Sequence, residues 1–221
     1  MTGETHWDDV YGSHAEEEVS WFTERPEPSL SLIREFASAP DPVADIGGGA
    51  SRLADALLAE GYRDITVLDL SARAIAMAQA RLGPRAGDVH WIAADVTRWQ
   101  PPRPYRIWHD RAAFHFLTTA TDRAAYVRIM RAALEPGGHA IISTFADDGP
   151  ERCSGLPVAR YAPGALADEL ERHAPGAFEP VRAQRHEHAT PGGAIQRFQV
   201  SVFRRRAAGR PAALPGQDEP A

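Results

Sequence analysis

Short apolar runs alternate with amphipathic stretches along most of this chain of 221 residues. Residues 43–46, 65–68 and 89–93 are too short for helices and end in glycines, acids or turn residues, so each predicts a buried strand. Residues 29–37, 51–59 and 72–82, lying before and between them, predict helices. A further helix is predicted over 122–134, where Tyr126, Ile129, Met130, Ala133 and Leu134 recur at helical spacing and arginines stand elsewhere. This alternation of helix and strand predicts a parallel sheet covered on both faces. Residues 178–188 and 194–204 predict two more strands, joined by the hairpin signal Thr190-Pro191-Gly192-Gly193.

The two ends read differently. Trp7, Tyr11, Val19, Trp21 and Phe22 are interleaved with acids and predict a small helical cap within residues 1–27. Residues 204–221, rich in Ala, Arg, Pro and Gly, show no apolar periodicity and read as a disordered tail, which leaves 28–203 as the body of the protein.

Chemistry enters at the end of the first strand, where the sequence runs Asp45-Ile46-Gly47-Gly48-Gly49-Ala50-Ser51. Without a Cβ, the three glycines permit positive φ and close approach of the backbone to a ligand, and the following helix aims its free N–H groups the same way. The next strand delivers Asp69 to the same sheet edge, where a carboxylate can accept from both hydroxyls of a ribose. A dinucleotide fingerprint would require glycine at the sixth position, which here is Arg52. Asp45 directly before the glycines is awkward beside a pyrophosphate and well placed to receive a cationic amino group.

The run therefore resembles motif I of the class I S-adenosylmethionine (SAM)-dependent methyltransferases, with Ser51 standing where a third spaced glycine is often found and serving as a plausible N-cap. Ala94-Asp95-Val96 resembles the family's acidic segment beside the adenine, and Leu134-Glu135-Pro136-Gly137-Gly138 its turn before strand five. The resemblance implies an α/β Rossmann-like three-layer sandwich whose seven-stranded, mostly parallel sheet ends in an antiparallel strand. It implies SAM as cofactor and S-adenosylhomocysteine as product. Asp45, Gly47, Gly48 and Gly49 would hold the methionine end, Asp69 and Leu70 the ribose, and Asp95 and Val96 the adenine, with Trp21 closing over the cofactor.

Residues 105–117 would face the transferred methyl group. They lack the Asn-Pro-Pro-aromatic pattern of many amide and nucleobase N-methyltransferases. Trp108 to Ala113, with Asp122, Arg123 and Tyr126, resemble instead the thiopurine and thiol/halide methyltransferase group. The aromatic opening and Gly155-Leu156-Pro157-Val158 extend this likeness over residues 6–203, while His109 and Leu156 depart from the pattern. A small-molecule acceptor with a soft nucleophile such as a thiol is implied. The resemblance gives Asp110 a role in positioning substrate or supporting the cofactor pocket, against a structural pairing with Arg111. His109 and His115 are candidate bases. Period-two alternation puts His109 and Asp110 on opposite faces of the strand, so one of the two would look into the pocket.

Composition narrows the alternatives. With 43% hydrophobic residues the chain can bury a full single-domain core. No apolar run is long enough to span a membrane and no leader follows Met1, so a cytoplasmic location is expected. A net charge of -6 gives no basic face for nucleic acid. All 24 basic residues are arginine, which excludes a lysine Schiff base or a Walker-type lysine. The single cysteine, Cys153, excludes an internal disulfide and reads as a small apolar filler in a possible lid over 147–161, where Arg160 and Tyr161 are weaker candidates for substrate contact. The pairs His6/His14 and His186/His188 lack further ligands, so no metal is expected. Two other readings stand beside small-molecule methylation: a protein lysine methyltransferase using an acidic groove near Glu16 to Glu18, and a SAM-binding regulatory protein without activity. The oligomeric state is left open.

Overall fold

The structure is a computed structural model that describes residues 3–207. Seven strands form one sheet: β1 (Val43–Ile46), β2 (Ile65–Asp69), β3 (Val89–Ala93), β4 (Tyr105–Arg111), β5 (Leu134–Phe145), β6 (Phe178–Ala189) and β7 (Ile195–Arg205). Their order across the sheet is β3-β2-β1-β4-β5-β7-β6. The first five strands run parallel, and β7 lies antiparallel between β5 and β6. The order reverses at β1, so the crevice beyond the C-terminal ends of β1 and β4 is where an open sheet of this type binds ligands.

Among the described residues there are six α-helices: α1 (Gly3–Ser13), α2 (Ser29–Phe36), α3 (Leu53–Ala59), α4 (Ala72–Leu82), α5 (Ala120–Ala133) and α6 (Pro163–His173). Ile33 of α2, Leu57 of α3 and Leu82 of α4 pack with Val43, Ile65 and Ile107 on one face. On the other, Tyr126 and Met130 of α5 and Leu166 of α6 pack with Ala44, Trp108 and Ile142. Alternate residues of each strand enter alternate cores, as a pleated strand buried on both sides requires.

Two helix starts differ from the sequence expectation. The third helix begins at Leu53 with Arg52 at its N-cap position, because Ser51 is still part of the glycine turn: its N–H donates to the Gly48 carbonyl at 2.7 Å. Ser51 Oγ nevertheless accepts from the Leu53 N–H at 3.1 Å, so it satisfies one free donor from outside the helix. The fifth helix begins two residues early, at Ala120, because the Thr119 side chain accepts from the Asp122 N–H and supplies the cap.

At the N-terminus, α1 packs against α4 and is followed by a short turn at Glu16–Glu18. Asp8 ties α1 to α4 by accepting from the Ser71 hydroxyl at 2.5 Å and the Arg73 N–H at 3.3 Å, a carboxylate at a helix N-terminus. Arg81 braces this arrangement, donating to Glu16, Asp55 and the carbonyls of Ala50 and Ser51. At the other end, Arg204 and Arg205 belong to β7 and not to a tail, and residues 208–221 of the expected tail lie outside the described residues. Among the described residues no helix is long and apolar enough to cross a membrane.

Candidate active site

The glycine turn after β1 is packed so closely that side chains are excluded. Gly47 has φ +69°, and a Cβ there would lie 2.8 Å from that of Ala113. At Gly48 a Cβ would meet an Asp45 carboxylate oxygen at 2.5 Å, and at Gly49, with φ +35°, an Asp69 oxygen at 2.7 Å. The turn thus runs between two buried carboxylates, with its backbone as the only surface it can offer.

Beyond it opens a cavity of about 920 Å³ counting its mouth and the open solvent there. Gly47, Asp69, Leu70, Asp95 and Val96 line one end of it, together with Trp21. Asp69 is 8% exposed and accepts from the Ser71 N–H at 2.8 Å. Burial pushes this carboxyl up to about 7; the Ser71 and Leu70 N–H groups oppose the rise, and neighbouring Asp45 and Asp8 add to it. Asp95 is held by Thr97, whose N–H and hydroxyl both donate to the same oxygen at 2.8 and 2.7 Å. Asp45 and Gly48 line a smaller recess beside the turn, with Tyr11, Trp21, Gly47, Ser51, His109 and Arg111.

The three candidate catalytic residues lie outside the lining of the large cavity. His109 sits opposite Asp45 in the β1–β4 register, and both its nitrogens are engaged, with Asp45 Oδ1 at 2.7 Å and Ser29 Oγ at 2.8 Å. Asp110, on the other face, accepts from the N–H groups of Ala113 and Phe114 and from the Tyr126 hydroxyl at 2.6 Å. Tyr126 in turn accepts from Trp108 Nε1 at 2.8 Å. Burial raises the Asp110 carboxyl to about 6 despite these donors. Its bonds close the sharp turn after β4, where Ala112 adopts φ +69°, a conformation that costs a non-glycine residue roughly 1 kcal/mol or more. Asp110 forms no pair with Arg111, whose guanidinium turns to the other face and donates to the Trp21 carbonyl.

His115 is fully buried; its Nδ1 accepts from the Phe145 N–H at 3.3 Å, and its Nε2 has no partner among the described residues. Burial drives its basicity down to about 3, so the ring is neutral at physiological pH.

Residues 43–138 match the model of a methyltransferase domain family. The seven-stranded, mostly parallel sheet with one antiparallel strand is the α/β methyltransferase fold, and Asp45, Asp69 and Asp95 stand at or beside the ends of β1, β2 and β3. Residues 43–138 form a methyltransferase domain. A search of the curated proteins gave no match. Among solved structures, the chain is similar to an N-methyltransferase, NodS, from Bradyrhizobium japonicum WM9 in complex with S-adenosylhomocysteine (18% identity, 91% of this chain and 98% of that one, TM-score 0.68). It is also similar to the 1,6-didemethyltoxoflavin-N1-methyltransferase of Burkholderia thailandensis (22% identity, 93% and 85%, TM-score 0.67). A third similar structure concerns the conversion of a disulfide bond into a thioacetal group during echinomycin biosynthesis (21% identity, 92% and 93%, TM-score 0.72).

The far end of the cavity is built by residues that no local sequence pattern gathers. Phe116, Leu117, Phe145, Gln196 and Phe198 line it, with Cys153 from the segment after β5, while Trp7 and Tyr11 of α1 border the cavity and Tyr11 also borders the glycine-turn recess. Phe145 and Phe198 meet because β5 and β7 pair antiparallel in that register. Trp7 and Tyr11 were legible only as an aromatic opening, and Gln196 and Phe198 carry no local signal. Trp7 packs edge-on against both Trp21 and Phe116, and Trp21 Nε1 donates to the Tyr11 hydroxyl at 3.2 Å, so α1 roofs the cavity. Burial raises the Cys153 thiol to about 11. Phe22 lies under Arg52, outside this cavity, while Arg160 braces Gly149 and Glu151 and Tyr161 packs into the core. Among the described residues no group of three or more His, Cys, Asp or Glu is placed to hold a metal ion.

Proposed function

We propose that this protein transfers a methyl group from SAM to a small-molecule acceptor whose nucleophile is soft and ionises by itself near neutrality, a thiol in the first place. The glycine turn that no Cβ can enter and the carboxyl of Asp69 support SAM as the occupant of one end. Asp45 and Gly47 would hold its methionine end, Asp69 its ribose and Asp95 its adenine. When bound, SAM supplies a methyl on a sulfonium, displaced in line as the acceptor's lone pair forms the new bond and the electrons of the old one return to sulfur.

What the protein contributes is alignment and exclusion of water. Trp7, Tyr11 and Trp21 roof the cavity, and Phe116, Phe145 and Phe198 wall the acceptor end. A roofed, aromatic-walled site favours a small acceptor over a protein. The acidic groove that a lysine-bearing peptide would need is already spent: Glu16 pairs with Arg52 and Arg81, and Glu17 with Arg52.

The observation that carries the choice of nucleophile is the absence of a general base at the acceptor end among the described residues. His109, Asp110 and His115 all lie outside the lining, and Cys153 is held as a thiol. An acceptor that ionises in solvent before it binds needs no base, and a free thiol of ordinary pKa meets that condition. The same arrangement would suit a SAM-binding protein without activity, so the deciding experiment is transfer itself. Methyl-tritiated SAM is incubated with sulfide, small thiols, amines, phenols and a protein extract, and volatile, soluble and precipitable label are counted separately. Label in thiol products is expected, at a rate that follows the acceptor's own ionisation with pH. Label in amines or precipitated protein would overturn the thiol assignment, and no label in any fraction would favour the inactive binder.

A further inference from the structure

The recess beside the glycine turn contains two opposite charges that do not meet. Asp45 lines it at one side, its Oδ1 taken by His109 at 2.7 Å. Arg111 lines it at the other, carried to that side because alternation along β4 gives it the same face as His109. The guanidinium donates to the Trp21 carbonyl and forms no ion pair with a carboxylate among the described residues. Asp45 is near enough to favour its charged form, against the burial that works to lower it. A guanidinium has five N–H donors in a planar fork suited to a carboxylate, and here one is used. A partly buried cation so placed is incomplete until an anion reaches it.

We propose that Arg111 receives the α-carboxylate of SAM and S-adenosylhomocysteine, so that Asp45 and Arg111 form the two poles of a receptor for a zwitterionic amino-acid tail. The inference rests on SAM as cofactor and adds a residue and a specificity to it. Arg111 lines the large cavity as well, with Phe145, Cys153 and Phe198, but in the recess Asp45 and Gly48 stand beside it, the pairing of opposite charges that a zwitterionic tail requires and an acidic acceptor does not. The arrangement also joins binding to closure. The guanidinium that meets the carboxylate holds the Trp21 backbone, and Trp21 holds Tyr11 of α1.

The test compares S-adenosylhomocysteine with the thioether that differs from it only in lacking the carboxylate, 5′-(3-aminopropyl)thio-5′-deoxyadenosine, by calorimetry on the full chain. The wild type should bind S-adenosylhomocysteine at least tenfold more tightly. In Arg111→Gln that preference should collapse to within twofold while affinity for the aminopropyl compound stays near wild type, which also reports that the site is folded. Arg111→Lys should keep part of the preference. Full discrimination in Arg111→Gln, or none in the wild type, overturns the inference while leaving the cofactor in place. A wild type that binds neither compound removes the cofactor assignment itself.

Discussion

The two ends of the cavity are made in different ways. The proposed cofactor end is assembled from residues at or just beyond the ends of consecutive parallel strands, each fixed locally: Asp69 by the Ser71 N–H, Asp95 by the Thr97 turn, the glycines by the carboxylates on either side. The acceptor end is a wall of side chains drawn from α1, the turn after β4, β5, the segment after it and β7. Charges and backbone define the first and aromatic surface defines the second. Substitutions at the cofactor end should therefore act through steric and electrostatic conflict with large effects, and those at the acceptor end through shape with small ones.

The largest effect is expected at Gly48, whose backbone needs no positive φ, so a substitution there tests packing alone. In Gly48→Ala the new methyl would sit 2.5 Å from an Asp45 oxygen and 2.9 Å from Val67, and neither neighbour is free to give. Asp45 is locked to His109, and Val67 lies in the middle of β2. Displacing that carboxylate should weaken S-adenosylhomocysteine binding by about thirtyfold or more, roughly 2 kcal/mol at the scale of a lost charged hydrogen bond. Calorimetry that finds native affinity in a folded Gly48→Ala variant would show that the tight turn is a packing feature and not a binding one.

This difference between the ends also explains what the sequence made legible. Strand periodicity located β1 and β3 to the residue, because buried strands of a parallel sheet are short continuous apolar runs closed by turn residues. The glycines and Asp69 could be read as a ligand edge because each does its work next to its own place in the chain. His109 and Asp110 stood in the informative segment and alternation separated them correctly, yet their partners, Ser29 and Tyr126, are far away in sequence. Their hydrogen-bond saturation was therefore invisible. Arg111 was hidden for the complementary reason: only the three-dimensional arrangement shows that no carboxylate among the described residues pairs with it. Phe198 reaches the cavity through β5–β7 register, which no local pattern encodes.

Asp69 offers an intermediate effect with a sign that distinguishes its role. Asp69→Ala should weaken S-adenosylhomocysteine binding at least tenfold, about 1.5 to 3 kcal/mol for bonds to a charged group. In the free protein its carboxyl is raised to about 7, above the ordinary value of 3.8. The charged form is the better acceptor for two hydroxyls, so affinity should fall as pH drops below 7, by up to about tenfold per pH unit. Stability runs the other way. A carboxyl raised on folding contributes stability at low pH that is lost as pH rises through about 7. Asp69→Asn should flatten the affinity profile and reduce the stability trend, leaving the part due to Asp110, raised to about 6. An affinity profile that keeps its shape in Asp69→Asn would assign the titration elsewhere.

The smallest effect is expected at Cys153, and its smallness is what tests the acceptor end. The side chain packs with Phe145 and Phe198 against the cavity, 7% exposed, and its thiol is raised to about 11 by burial. A group so held is neither a nucleophile nor a base near neutrality, and its contribution is volume. Cys153→Ala should leave S-adenosylhomocysteine affinity within twofold, cost about 1 kcal/mol of stability for the lost packing, and change the KM of the methylated acceptor two- to fivefold with little change in kcat. A loss of kcat by orders of magnitude with KM unchanged would instead make the sulfur a participant in transfer. The acceptor end would then work by chemistry, as the cofactor end does, and the contrast between the two ends would fail.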